Sequence, residues 1–364
     1  MGERAGVRAE GGRLLRVGVI GCGQIAATHV STLAKRCGPV ELHLCDVVPD
    51  AAARLAARTG VAAGLHDDPE RMFGEQDLDV VLVLTPPPTH HPLVLRALAA
   101  GAHVLVEKPM ALTPEEHEEL FAAADAAARL LCVDHSMLLM PCVVEALERV
   151  AVGEVGRPLA FHCFYGHAEA GGAIPYGGPG HWAYRMPGGV LLNHLSHPAS
   201  LLVAFLGAPE EVLALRSARN VMPGDVPDSL QVAVGTAAGY GSISISMSHG
   251  NHLRQATVYG ERGTVFLDLT RQTTVVSRHQ GPIGLVPKML GGVGVGLAQA
   301  GRTVEVGARV ATGRLKREPG VRALVERYFA AVREGGPPPV SRENALGVAR
   351  IQYEALLAPG LAAR

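Results

Sequence analysis

Aromatic residues are scarce, 4% of a 364-residue chain, so any core must be built largely from Val, Leu, Ala and Ile. An excess of one charge is missing too. The 33 Lys and Arg meet 34 Asp and Glu, a net charge of -1. Without a basic surplus the chain has no electrostatic footprint for a phosphate backbone, which argues against a nucleic-acid partner. No C-x-x-C pair occurs among Cys22, Cys37, Cys45, Cys132, Cys142 and Cys163, and no cysteine follows Cys163. That distribution does not suit a secreted disulfide framework and predicts reduced thiols in a cytoplasmic protein. The first 13 residues are charged and Gly-rich without an apolar run, so they read as a flexible tail and not as a signal peptide. No membrane span is expected either. Pro282 to Gly301 is apolar, with Lys288 its only charge, but its glycines and Pro287 argue against a straight spanning helix. A packed arm or oligomer contact is favoured there over a peripheral membrane contact through 282–301.

What the chain does have is apolar residues, 48% against 18% charged, which excludes a disordered acidic or basic protein. At ~150 residues per domain the length predicts two domains. The first third alternates β-branched runs with helical patterns. Leu14–Ile20, Val40–Cys45, Asp79–Leu84, His103–Val106 and Leu130–Val133 read as buried strands. Between them, 24–35, 51–58, 91–100 and 114–128 read as helices, giving βαβ units and a parallel sheet. Beyond Ser136 a helix from Pro141 precedes strand-like runs at 158–164, 211–216, 230–236, 241–247 and 255–259, with a helix over Gly189–Leu206. The alternation in Ser242–Ser248 predicts a mainly antiparallel sheet with one wet face. The expected fold is therefore α/β followed by α+β. A parallel-sheet domain covers 14–135 and a second domain 136–340, with 273–319 as an inserted arm or lid. A closing helix follows in 341–364.

The sharpest local signal is Gly21-Cys-Gly23-Gln24-Ile25-Ala26, a G-x-G-x-x-A between the first strand and the first helix. Gly21 permits the tight turn, Gly23 lets backbone approach a pyrophosphate, and Ala26 allows close helix packing. The helix N-terminus offers free N–H groups to phosphate. Asp46 ends the second strand, close to the ~20-residue offset of a ribose-binding carboxylate. A plain tight turn is the alternative. Asp46 followed by Val47 and Val48 would repel a 2′-phosphate and brings no nearby cation, so NAD is preferred over NADP. Thr85-Pro-Pro-Pro-Thr-His90 and Glu107-Lys108-Pro109 follow the fourth and fifth strands, at the strand ends where open α/β sheets bind ligands. Lys108 suits a substrate oxygen that becomes an alkoxide, or else makes a surface ion pair with Glu107. In Gly188–His197, Asn193 and His197 stand four apart and share a helix face. His194 and His197 lack a third ligand, so no metal is expected. Each histidine, with His135 and His181, also reads as an ordinary structural histidine.

Together these segments resemble the glucose–fructose oxidoreductase and inositol dehydrogenase family (Gfo/Idh/MocA). The glycine loop, Thr85 to His90, the E-K-P at Glu107–Pro109, His135 before Pro141, Gly153–Gly156, Gly188–His197 and Gly260–Val265 match in order and spacing. The resemblance implies a Rossmann domain, then an open-faced α+β domain whose sheet face often forms dimers or tetramers. It implies Lys108 as the substrate-orienting lysine and His197 as the acid/base. Thr85, Pro86, His90, Glu107 and Lys108 would line the nicotinamide end, and Trp182 and Arg185 would approach substrate. The family's usual Asp is Asn193 here. These readings lead to an NAD-dependent oxidoreductase of a secondary alcohol or ketone in a sugar, cyclitol or glycosylated metabolite. The alternatives are a non-catalytic NAD-binding sensor or scaffold, and an epimerising or glycoside-cleaving enzyme with tightly held NAD.

Overall fold

The computed structural model describes residues 13–167, 180–217, 227–248, 252–278 and 285–357. Apart from residue 13, the expected tail lies outside them, as do 282–284 of the apolar segment. The chain divides into two units, 1–136 with 320–346, and 137–319 with 347–364.

The first unit runs β1 (Leu15–Ile20), α1 (Ala26–Arg36), β2 (Val40–Cys45), α2 (Ala51–Thr59), β3 (Gly64–His66), α3 (Pro69–Glu75), β4 (Val80–Val83), α4 (His90–Ala99), β5 (His103–Val106), α5 (Pro114–Ala127) and β6 (Leu131–Val133). Its sheet is all parallel, in the order β3-β2-β1-β4-β5-β6. The central strands are largely buried on both faces, and β4 reads as an unbroken Val and Leu run. Thr113 and Glu116 form a reciprocal capping box at the start of α5, with Pro114 at the first helical position. The sequence did not announce β3 or α3, because β3 is a three-residue edge strand with no periodicity to detect.

The second unit begins with α6 (Pro141–Ala151), β7 (Pro158–Gly166), α7 (Trp182–Arg185) and α8 (Gly189–Leu206). It continues through β8 (Pro209–Ser217), β9 (Ser229–Thr236), β10 (Gly239–Ser246), β11 (Leu253–Gly260), β12 (Gly263–Asp268), β13 (Thr273–Arg278) and α9 (Leu285–Ala311). Its sheet is ordered β13-β12-β11-β7-β10-β9-β8, antiparallel except where β10 runs parallel to β7. Ile243 and Ile245 of β10 turn inward while Ser242, Ser244 and Ser246 face outward, as the alternation predicts. The inner face packs against α8 so closely that a Cβ on Gly241 would lie 2.5 Å from Leu202 Cδ1. α8 is long and apolar enough to cross a membrane, but 89% of it is buried, as in a core helix.

Two expectations need correction. The glycines and Pro287 do not interrupt the apolar segment, because 285–311 is one 27-residue helix. Pro287 falls in the first turn, where a missing N–H leaves no helix bond unmade. The glycines cost ~1 kcal/mol each, but Gln299 and Arg302 tether the helix to β13 and α6. The other correction concerns the last helices, α10 (Pro319–Glu334) and α11 (Arg342–Gln352). Residues 320–340, expected in the second domain, pack with the first unit. Tyr328 donates to the Leu130 carbonyl, and Arg333 donates to those of Cys37 and Pro39.

Candidate active site

In the first unit, four loops leave the carboxyl ends of β1, β2, β4 and β5, at the point where strand order reverses. Gly21 opens the first loop with φ 98°. A Cβ there would sit 2.7 Å from the Leu84 carbonyl, so only glycine fits. The Cys22 N–H donates to Asp46 Oδ2 at 2.7 Å and the Val48 N–H to Oδ1 at 2.8 Å, which fixes the carboxylate at the end of β2. Gly23 and Gln24 are exposed, Ile25 is half-buried, and a Cβ on Gly23 would meet nothing within 4 Å. The first turn of α1 carries no acidic residue, so its N–H groups are suited to an anion. A dinucleotide fits this cradle. Asp46 does have a cation near its loop, contrary to the sequence reading. Arg58, from α2, donates to the Gly23 carbonyl at 3.1 Å.

In the loop after β4, Thr85 is half-buried and Pro86 exposed, and Thr89 donates its hydroxyl to Thr85 Oγ1 at 2.7 Å. His90, expected to line the nicotinamide end, is instead fully buried. Its Nδ1 and Nε2 each lie 2.7 Å from a carbonyl, of Pro109 and Thr85, so the ring clamps the two loops together. Burial holds its pKa below the ordinary histidine value. Glu107 accepts the Lys108 N–H at 3.1 Å, and the Lys108–Pro109 peptide is cis.

Beneath this turn lies a cluster that the sequence reading missed. The ligating atoms of His29, Glu107 and Asp134 all lie within 4.8 Å of one another. His29 Nε2 is 3.0 Å from Asp134 Oδ2, and its Nδ1 is 3.2 Å from the Ile25 carbonyl. Both ring nitrogens face oxygen acceptors, an arrangement that favours the imidazolium. Burial opposes that charge, but the bond to Asp134 and its negative charge prevail and raise the His29 pKa. Burial likewise works against the Asp134 carboxylate, and the His29 bond holds its pKa below the usual value. Removal from solvent, then the charge of Asp134, push Glu107 up to about 7. His135 is also buried, with Nδ1 3.0 Å from Asn344 Oδ1, and burial lowers its pKa to about 4. It lies inside the first unit.

In the second unit, α8 carries Asn193 and His194, both buried, and His197, half-buried. The His197 ring stacks on Tyr165 at the end of β7, with centroids 6.0 Å apart and planes within 13°. Arg254 lies 4.5 Å over the same Tyr165 ring, and His167 stands 4.6 Å from both His194 and His252. None of Tyr165, His167, His252 and Arg254 was singled out from sequence, because they enter from strand ends far along the chain. His181 caps α7 by accepting the Ala183 N–H, and its ring lies 5.0 Å from half-buried Trp182. Arg185 is exposed, donating to the Gly180 carbonyl.

Comparison with known proteins agrees with this architecture. Residues 15–135 match the family described as "Oxidoreductase family, NAD-binding Rossmann fold", and 143–266 match "GFO/IDH/MocA C-terminal domain". An inositol 2-dehydrogenase of Acidothermus cellulolyticus is 31% identical over 265 residues, 70% of this chain and 73% of that protein.

The chain belongs to the GFO/IDH/MocA oxidoreductase family.

Its first unit is thus that family's NAD-binding Rossmann domain. Inositol 2-dehydrogenase 4 of Saccharopolyspora erythraea is 29% identical over 62% of this chain, and the match spans 65% of its own length. For the inositol 2-dehydrogenase of Burkholderia lata that share is 47%. Among solved structures, a levoglucosan dehydrogenase in complex with NADH superposes with a TM-score of 0.76 at 20% identity, over 95% of this chain and 96% of that one. An oxidoreductase from Agrobacterium radiobacter, in complex with NAD+, L-tartaric acid and magnesium, gives 0.74 at 15%, over 94% and 95%. At these identities the likeness is one of fold.

Proposed function

We propose that this chain is an NAD-dependent dehydrogenase. It would move a hydride between nicotinamide and a secondary alcohol or ketone of a sugar, cyclitol or glycosylated metabolite. The observation that carries the reading is the cradle at Gly21–Ile25, with Asp46 held by two backbone N–H groups in the same sheet that presents the Glu107–Lys108 turn. The names of the relatives, inositol 2-dehydrogenase and levoglucosan dehydrogenase, supply the substrate class. Nicotinamide, when bound, accepts or gives the hydride. In oxidation His197 takes the hydroxyl proton, and the Lys108 ammonium stabilises the developing alkoxide. Asn193, an amide on the same helix face, orients a substrate hydroxyl without adding charge. Trp182, Arg185 and His181 are the further substrate contacts of this reading. Asp46 accepts ribose hydroxyls and disfavours a 2′-phosphate, so NAD is used over NADP. The working form is a homo-dimer or homo-tetramer with a small-molecule, sugar-like substrate.

The test is absorbance of reduced nicotinamide after mixing the protein with NAD and a panel of inositols, anhydrosugars and sugars. Wild type should reduce NAD with at least one of them. Lys108→Ala and His197→Ala should each lose about 10²–10⁴ in turnover while NAD affinity stays within a few-fold. Tight NAD binding without turnover on any panel member would overturn the reading in favour of a sensor. A cleaved or epimerised sugar without net NAD reduction would replace it with the tightly-held-NAD alternative.

A further inference from the structure

Helix α9 is turned inside out. Half-buried Val295, Gln299, Arg302, Val306 and Arg309 recur along the side facing its own unit. Gln299 Nε2 donates to Thr273 Oγ1 at 2.8 Å, and Arg302 pairs with Glu145 of α6. A groove of about 580 Å³ runs between this side and β13. The opposite side is apolar and faces outward, with Leu290, Val293, Leu297 and Val304 at 67, 59, 70 and 73% exposure. Leu290, Leu297, Val304 and Ala311 stand seven residues apart, and Val293, Ala300 and Gly307 fill the second position of the same repeat. A solvated helix shows the reverse polarity, whereas this spacing is that of a helix–helix seam.

We propose that the outer stripe of α9 is a self-association surface whose occupant is α9 of a second copy of this chain, packed antiparallel about a twofold axis. The sequence of the stripe is self-complementary in that orientation. Leu290 meets Gly307, Leu297 meets Ala300 and Val304 meets Val293, so large residues face small ones in each of the first two layers. A parallel pair would set Leu290 on Leu290 and leave a gap at Gly307. A lipid surface is the poorer occupant, since a membrane-lying helix flanks its apolar face with Lys and Arg. Here Arg302 and Arg309 turn toward the protein. The stripe, about 32 Å by 10 Å from the helix rise and width, falls short of the ~800 Å² per partner of a stable interface. The contact must therefore extend onto the sheet. Strand register places Thr273, which α9 grips, on the same sheet face as exposed Phe266, Leu213 and Leu215. The apolar surface beyond β13 thus lies on the side where α9 sits.

The experiment measures mass by sedimentation velocity for the full chain and for the triple variant Leu290→Glu, Leu297→Glu, Val304→Glu. In parallel, Ala300→Cys and Ala298→Cys are treated with a short bifunctional maleimide. The six native cysteines are buried, so the added thiol is the reactive one. All three substituted side chains of the triple variant point to solvent, and an unchanged circular dichroism spectrum and melting curve show that both units of the variant are folded. The proposal expects a wild-type assembly whose mass the triple variant halves. It also expects a crosslinked dimer from Ala300→Cys and none from Ala298→Cys, which lies on the groove side. Unchanged mass in the triple variant together with no Ala300→Cys dimer overturns it, as does a monomeric wild type at tens of micromolar. Flotation of wild type with phosphatidylcholine–phosphatidylglycerol vesicles, lost in the triple variant without a mass change, would assign the stripe to a membrane instead.

Discussion

His29 and Asp134 form an ion pair inside the first unit, with Nε2 3.0 Å from Oδ2 and neither side chain exposed beyond 1%. His29 holds its proton more tightly folded than unfolded. Its contribution is therefore complete below the ordinary 6.5 and is lost as pH rises through the raised value. Asp134 holds its proton less tightly, so its share is complete above the ordinary 3.8 and is lost as pH falls through the lowered value. The pair stabilises most between those limits. Asp134→Asn leaves a buried imidazole without its counter-charge and should cost about 3–5 kcal/mol near pH 5.5. Urea denaturation across pH measures it, and a loss under 1 kcal/mol would mean that His29 is neutral in the native state.

Glu107 moves the other way. Its raised value means the folded state is penalised progressively as pH climbs from 4.5 to about 7. Glu107→Gln keeps an acceptor for the Lys108 N–H and removes the ionisation. Above pH 7 the variant should be more stable than wild type by about 2 kcal/mol, allowing for the solvent that reaches this half-buried side chain. Melting curves at pH 5 and pH 8 give the comparison. An equal gap between the two proteins at both pH values would refute the assignment.

Gly21→Ala introduces both a left-handed alanine and a Cβ at 2.7 Å from backbone. The loop must move, at a cost of about 1–3 kcal/mol in strain alone. NAD affinity, followed by nicotinamide fluorescence or calorimetry, should fall at least tenfold. Wild-type affinity in this variant would remove the glycine loop from the cofactor site.

Asp46→Ser with Val47→Arg should shift preference from NAD toward NADP. The double change removes the ribose carboxylate and adds a second cation to the loop already bordered by Arg58. Titration of both nucleotides against wild type and variant decides it. Tighter NADP than NAD binding by the wild type sinks the argument from Asp46.

Within the first unit most elements were legible one segment at a time. Buried parallel strands are short apolar runs, and helix starts are local chemistry, as at Thr113–Glu116. The glycine loop and Asp46 were also legible, because turn, strand end and acid follow one another at short range. His90 was not. The family resemblance implies that it lines the nicotinamide end, and nothing local to it shows that the ring is held by two carbonyls, one from a loop 19 residues away.

The sequence alone determined most strands and helices of the first unit, its parallel sheet, the wet face of Ser242–Ser248 and the cofactor class. All of these rest on periodicity or on contacts within a turn or two. Only the tertiary structure decided which polar groups are sealed from water and paired. His29 and Asp134 stand 105 residues apart and become an ion pair only where α1 passes the end of β6. The same holds for α9, whose glycines disfavour a helix by local propensity. Long-range bonds from Gln299 and Arg302 outweigh that local preference, and they also decide which side of the helix is left facing outward. Propensity acts over a few residues, whereas burial and charge pairing depend on groups that the fold brings together from opposite ends of a unit.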